Sequence, residues 1–532
     1  MDFLHYPYAS KRNVVVAKNG MVATSQPLAA QAGLTILQRG GNAIDAAIAT
    51  AAALTVTEPT SNGIGGDAFA IVWMNENMYG INGSGPAPAT LSIDALQQRG
   101  FTSIPAEGVV PITVPGVPAT WAALSKRFGK LPLLDVLQPA ITYAEEGFPL
   151  SPTLADYWQR AYNRFKDTRT APEFQAWFDT FSVNGGAPQV GDVWRSPGHA
   201  RTLRLIGETN GEAFYRGELA DEIDAFLHAH HGFLTKDDLA SFEPEWVEPI
   251  KTNYRGYDVW EIPPNGQGIV AQMALNIYEN KQPSTDAHDV HVQIEAMKLA
   301  YADAFANVTE RTHMPVTTEQ LLSKDNAKAR FNTITDEVAT PTPSAFAKGG
   351  TVYLATADGD GNMVSFIQSN YMGFGSGVVV PNTGIALQNR GHDFSMDESH
   401  PNVLRPKKRT YHTIIPGFLT KDGEAVAPFG VMGAYMQPQG HFQVLRHMID
   451  FDLNPQAALD APRWQWINDK TVHVEAHFPL EIVRQLQKRG HDVHLLADSG
   501  TFGRGQIIWR NPATGVLYGG TEPRTDGAIA AY

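Results

Sequence analysis

The sequence predicts a layered α+β sandwich, and three observations carry that prediction. Helical patterns dominate before about residue 350, hairpin patterns dominate after it, and an alanine-rich segment near the start reads as a helix buried on most sides. A sheet-rich segment needs its faces covered, and alanine-rich helices from elsewhere in the chain can pack closely enough to do so. At 532 residues the chain is long for one compact core, so two or more domains or one large layered one are expected.

In chain order, Ser25 is placed to cap a first helix with Pro27 in its first turn, and Gly40-Gly41 ends it. Asn42 caps a second helix that runs to Glu58-Pro59 and holds seven alanines between Ala43 and Ala53. "SNGIGGDAFAIVWMNENMYGINGSG" reads as a glycine loop, a strand over 68–74, an Asn-Glu-Asn turn and a second strand. From about Phe101 to Arg330 the chain reads as mostly helical. Its clearest helix sets Val290, Ile294, Met297, Tyr301 and Phe305 on one face. "TDEVATPTPSAFAKGG" is polar, aperiodic and carries two prolines, which reads as a linker. After Thr351, turns at 358–362, 421–423 and 511–515 each join a pair of strands.

Composition excludes several functions. The formal charge of −14, with no basic run, repels nucleic acid and anionic membrane. The absence of cysteine removes disulfides, thiolate metal sites and a cysteine nucleophile. The first twenty residues lack the apolar core of a signal peptide, and the most apolar stretch, 42–57, is too short to span a bilayer and is broken by Asp45. A cytoplasmic enzyme or binding protein is expected.

"GFGSGVVVPNTG" lacks the helix that a dinucleotide loop requires, "SNGIGG" has no Gly-Lys-Ser/Thr, and no Gly-x-Ser-x-Gly elbow occurs. His288, His291 and Glu295 lie at a spacing common on helix faces, and no metal site is expected from them.

Gly349-Gly350-Thr351 has two readings. By spacing it is a glycine turn into a strand. Chemically it is a cleavage site: a threonine freed at a new N-terminus has its own α-amine, of pKa about 7.7–8.0, as general base. Glycine before it brings no Cβ, so the hydroxyl can reach the scissile carbonyl.

Five motifs carry a resemblance that spans about 20–532. They are "GGNAIDAAIATAAALTVTEPTSNGIGGDAFA", "GGTVYLATADGDGNMVSFIQSN", "GFGSGVVVPNTGIALQNRGHDFS", "KRTYHTIIPGFLTKDG" and "TEPRTDG". Through them the chain resembles the γ-glutamyltransferase (glutathione hydrolase) family of N-terminal nucleophile hydrolases, and is similar to the signal-less γ-glutamyltransferase-like proteins of bacilli. The resemblance implies a four-layer αββα sandwich, made as a precursor that cleaves itself into a large subunit, 1–350, and a small subunit, 351–532. The two would share one intertwined domain, and a homodimer of such heterodimers is compatible with it. It implies no cofactor and no metal.

Carried over by position, the resemblance makes Thr351 the nucleophile, Gly350 the end of the large subunit and Ser369 the supporting hydroxyl, with Val352 where typical members have a second threonine. Gly433-Ala434 match the oxyanion pair. In the substrate pocket Asp393 matches the aspartate that grips the α-amino group, and Tyr371 is a further substrate-binding candidate. Ser84 replaces the carboxylate-binding arginine, His412-Thr413 replace two serines, and Arg390 replaces a glutamine. Arg390 is the candidate for supplying the missing positive charge. The short segment 394–408 implies a more open site than a family lid would leave. The expected activity is hydrolysis or transfer of the γ-glutamyl group of glutathione-like amides, with water or an amine as acceptor. A glutaryl or cephalosporin-type amide acylase is the alternative enzyme, and an uncleaved binding or scaffold protein the alternative of another class.

Overall fold

The computed structural model describes residues 12–340 and 350–532; Gly349 and most of the expected linker, 341–349, lie outside them, as do residues 1–11. The first part of the chain supplies β1 (Val15–Ala17), β2 (Gly20–Thr24), β3 (Asp67–Met74), β4 (Asn77–Gly83), β5 (Glu245–Val247), β6 (Ile250–Tyr254) and β7 (Tyr257–Glu261). The second supplies β8 (Gly350–Asp358), β9 (Met363–Tyr371), β10 (Gly417–Lys421), β11 (Glu424–Met432), β12 (Arg504–Arg510), β13 (Leu517–Thr521) and β14 (Ala528–Ala531). They form two seven-stranded antiparallel sheets, ordered β14-β2-β8-β9-β3-β4-β5 and β1-β13-β12-β11-β10-β7-β6. Strands from both sides of residue 350 therefore interleave in each sheet.

Side chains alternate across each sheet, and the alternation defines the layers. Tyr353, Ala355, Ile367, Phe69 and Ile71 of the first sheet meet Phe418, Met432 and Ile508 of the second in a core between the sheets. Val352, Leu354, Val364 and Phe366 point the other way, into a core with Ala47, Ala51 and Leu54 of the helix Ala43–Thr57. On the far side, Phe429 and Val431 pack with the helices Gly268–Tyr278 and Ala287–Asn307. The order is helices, sheet, sheet, helices, the expected αββα sandwich. No helix among the described residues is long and apolar enough to cross a membrane.

The three hairpin turns fall where the sequence places them, joining β8 to β9, β10 to β11 and β12 to β13. Asn42 caps its helix and Asp45 completes a capping box. Two local readings change. Gln26, not Ser25, caps the first helix, because its side chain accepts from the N–H groups of Leu28 and Ala29 while Ser25 Oγ donates to Glu58. The mostly helical region also contributes β5, β6 and β7, the last two of which form one edge of the second sheet.

The described start of the expected linker is tied down. Val338 N–H donates to Arg489 O, Ala339 N–H to Glu295 Oε2 (3.1 Å), and His291 Nε2 meets Thr335 O at 2.7 Å.

Candidate active site

β8 and β9 pair in regular register up to Val352↔Gln368, then slip, so that Ser369 and Asn370 both lie opposite Thr351 before Gly350 pairs with Tyr371. Such a bulge re-aims the side chains beside it. Tyr371 takes a positive φ of 74° as the chain leaves the strand.

The bulge brings three groups onto one hydroxyl. Thr351 Oγ1 donates to Ser369 Oγ (3.0 Å), Ser369 Oγ donates to the carbonyl of Gly350 (2.8 Å), and Tyr371 N–H donates to Ser369 Oγ (2.8 Å). Thr351 and Ser369 are buried. Ser369 thus accepts a hydrogen bond from the Thr351 hydroxyl while its own proton polarises the carbonyl of Gly350. Val352 lies on the opposite face, in the helix-side core, so its replacement of a threonine leaves this hydroxyl network untouched.

Gly350 and Gly433 line one cleft of about 520 Å³, with Phe374, Met432, Tyr435, Arg160, Arg164 and Arg504 among its walls. Gly433 (φ 143°) and Ala434 (φ 51°) make the turn after β11, and Gln267 Nε2 fixes it by donating to Ala434 O (2.9 Å) and Thr413 O (2.7 Å). Ala434 holds the left-handed conformation despite its Cβ, so the turn is kept without a second glycine.

Tyr371, at the end of β9, joins a buried charged cluster. Arg390 Nη1 donates to Thr413 Oγ1 (2.8 Å) and reaches Asp393 Oδ2 (3.3 Å), and Tyr371 Oη donates to Asp393 Oδ1. The guanidinium carbon sits 4.0 Å from the centre of the Tyr371 ring. Burial pushes the pKa of Asp393 up, with Arg390 opposing it, and burial together with Asp393 holds the Tyr371 phenol well above its usual range.

Ser84 lies in a different network. Its hydroxyl donates to Asn82 Oδ1 (2.7 Å) and accepts from Asn265 Nδ2 (3.1 Å), while Arg409 Nε donates to its carbonyl (2.9 Å). Its hydroxyl is therefore already hydrogen-bonded within a buried polar corner. Arg409 itself is paired with Glu245 at 2.6 Å.

Sequence reasoning missed Asp67. It pairs with Ser369 across β3 and β9, so the two share a face, and its Oδ2 lies 3.0 Å from His412 Nε2. The signal was available: Asp67 is the sole charged residue between Pro59 and Met74. Burial raises its pKa to about 7, with Arg390 opposing, and burial with Arg390 lowers that of His412 well below the ordinary value.

A raised carboxyl pKa stabilises the fold below the ordinary value of 3.8, and that contribution is lost as pH climbs toward about 7. The lowered His412 contributes the opposite way, above its ordinary value of 6.5. Asp67→Asn removes the first effect. The thermal midpoint of the variant minus that of wild type is therefore expected to increase between pH 4 and pH 8; a constant difference would contradict the raised pKa.

The histidine pattern does not assemble as written. His288 is exposed and near Asp336, whereas His291, Glu295 and His491 bring ligand atoms within 4.8 Å of one another. Lys298 Nζ already lies 2.8 Å from Glu295 Oε1, and Ala339 N–H occupies the other oxygen, so the carboxylate is neutralised without a metal ion.

The model of the family described as Gamma-glutamyltranspeptidase matches residues 29–532. The chain belongs to the gamma-glutamyltranspeptidase family. Among curated members, it is 37% identical over 526 residues to the Glutathione hydrolase-like YwrD proenzyme of Bacillus subtilis, covering 97% of this chain and 98% of the relative. It is 34% identical to the Oxamate amidohydrolase proenzyme of Klebsiella pneumoniae, covering 97% and 99%. Among solved structures, a cephalosporin acylase from Bacillus halodurans is 63% identical, with a TM-score of 0.97 and coverage of 99% of this chain and 98% of that one. Relatives named proenzymes thus cover 97% of this chain, and the family match includes the segment holding Thr351, Ser369, Arg390 and Asp393.

Proposed function

We propose that this gamma-glutamyltranspeptidase-family enzyme cuts its own chain between Gly350 and Thr351 and then uses Thr351 as the nucleophile of an amide hydrolase and acyltransferase. The observation that carries this reading is the Ser369 hydroxyl, held between the Thr351 hydroxyl and the Gly350 carbonyl.

In the first act Thr351 Oγ1 attacks the carbonyl carbon of Gly350 and the C–N bond breaks, moving the acyl group from nitrogen to oxygen while the hydroxyl proton passes by way of Ser369 to the departing nitrogen. Water hydrolyses the resulting ester, leaving a carboxylate on Gly350 and a free α-amine on Thr351. In the second act that amine takes the hydroxyl proton and Thr351 Oγ1 attacks the substrate amide. Backbone N–H groups at Gly433 and Ala434 are the donors for the oxyanion. Each such donor is worth roughly 3–4 kcal/mol of transition-state stabilisation. The amine leaves with a proton, and water or a second amine releases the acyl group. Strands of the two products, 1–350 and 351–532, would stay interleaved in both sheets. We assign the enzyme to the cytoplasm, a reading compatible with its lack of cysteine.

The family-level substrate is a γ-glutamyl amide of the glutathione type. An amide acylase is the second reading, supported by the cephalosporin acylase likeness and by the pairing of Asp393 with Arg390. Brief reaction with a γ-glutamyl or glutaryl anilide, quenched in acid and digested, is expected to leave an acyl adduct on the peptide that begins at Thr351. Amine release without an adduct there, undiminished in Thr351→Ala, would contradict the assignment.

A further inference from the structure

The cleft lined by Gly350 and Gly433 has charged side chains of one sign on its wall. Arg160, Arg164 and Arg504 line it and no aspartate or glutamate does, in a chain whose formal charge is −14. Two of the three are held from outside the lining: Arg160 by Asp156 (2.8 Å) and Asp498 (2.9 Å), Arg504 by Glu58 (3.1 Å). Arg164 is exposed one turn further along the helix Pro152–Thr168, and among the described residues it forms no ion pair.

A second observation points to a bound polar group. Four residues of the same lining carry buried polar atoms with no hydrogen-bond partner: Thr60 Oγ1, Gln465 Oε1, Thr501 Oγ1 and Arg504 Nε. Buried polar atoms ordinarily find partners, so four such atoms around one cleft mark where a ligand would supply them. Phe374, Met432 and Leu496 give the same cleft apolar surface.

The chemistry says which part of a substrate belongs there. The acyl group stays bonded to Thr351 while the amine leaves and water or a second amine replaces it, so the amine side needs access to solvent. Arg160 and Arg164 are exposed, on the solvent side of the cleft.

We propose that Arg164, with Arg160 beside it, is a specificity-determining cation for the amine side of the scissile amide, selecting leaving and accepting amines that carry an acidic group on an apolar body. This rests on the threonine-nucleophile reading above and specifies the amine for it, whichever acyl group the enzyme prefers.

The 4-nitroanilide and the 3-carboxy-4-nitroanilide of one acyl group, glutaryl or γ-glutamyl, test it on the self-processed full chain. The two compounds differ by a single carboxylate on the amine. That carboxylate also alters the reactivity of the anilide, so the decisive readout is how the kcat/KM ratio of the pair responds to salt and to Arg164. The carboxylated-to-plain ratio is expected to fall about fivefold from low to high salt, the scale of one exposed ion pair under screening. Arg164→Gln is expected to show the lower ratio at every salt concentration, chiefly through a raised KM for the carboxylated compound, and Arg164→Lys to restore the salt response. The wild-type salt series stands even if a variant fails to fold. A ratio that ignores salt, or that is the same in Arg164→Gln as in wild type, would overturn the proposal and leave the nucleophile intact. A chain that stays whole and inert would remove the reading beneath it and the proposal together.

Discussion

Thr351→Ala is expected to give a single full-length chain that is folded and inactive. The variant deletes the one oxygen that attacks in both acts, so self-cleavage and turnover fall together below detection. The fold should survive, because the Thr351 hydroxyl makes one hydrogen bond, to Ser369, and Val352 and Tyr353 keep their places in the two cores. A lost bond of this kind costs about 1 kcal/mol. A denaturing gel after prolonged incubation, with circular dichroism for the fold, makes the check. Two fragments from this variant would remove Thr351 from the mechanism.

Ser369→Ala is expected to slow self-cleavage by about 10²–10³-fold, the scale seen when a single donor to a developing oxyanion is removed. The effect should be large because Ser369 Oγ carries three hydrogen bonds: it accepts from Thr351 Oγ1 and Tyr371 N–H and donates to Gly350 O. Losing it frees the nucleophile's proton acceptor, the donor on the scissile carbonyl and the anchor of Tyr371 at once. The buried Tyr371 N–H left behind adds about 1–3 kcal/mol of destabilisation. A time course from first purification should find mostly precursor when wild type is fully cut, and Ser369→Thr, which keeps the hydroxyl, should cleave. A wild-type rate in Ser369→Ala would contradict the relay.

The sandwich was legible because its signals are local. Glycine turns mark three hairpins, Asn42 with Asp45 marks a helix start, and the alanines of 43–53 mark an inner helix. The helix Gln437–Asp450 was not read, for a physical reason. Gln437, Gln439, His441, Gln443 and Arg446 are buried with its apolar residues, so no clean amphipathic period exists. Its glutamines are buried because they serve the edge strand Trp464–Asn468 of a separate three-stranded sheet: Gln439 donates to Trp466 O and Gln443 to Trp464 O. The amphipathic helix Leu480–Lys488, with Val483 and Leu486 buried, does carry a helical period among the hairpins.

The site was legible along one strand pair and not across the fold. Thr351, Ser369 and Tyr371 lie within one hairpin, and residue order alone places them together. The Asp67–His412 contact joins residues 345 positions apart, and the Asn82–Asn265–Ser84 corner joins the end of β4 to a distant loop. Neither pairing leaves a periodic trace in the sequence. That is why the hydrogen bonds that already satisfy the Ser84 hydroxyl, and the buried Arg390 nitrogens without a partner, emerge only from three-dimensional structure.

Intact mass and N-terminal sequencing of freshly purified protein test self-cleavage at Gly350-Thr351 most directly. Two chains of about 38 and 20 kDa are expected, pro-rated from 58.0 kDa by length, with the smaller beginning Thr-Val-Tyr-Leu. A single 58.0 kDa chain that stays whole on incubation would contradict it and return Gly350-Thr351 to the role of a turn entering a strand.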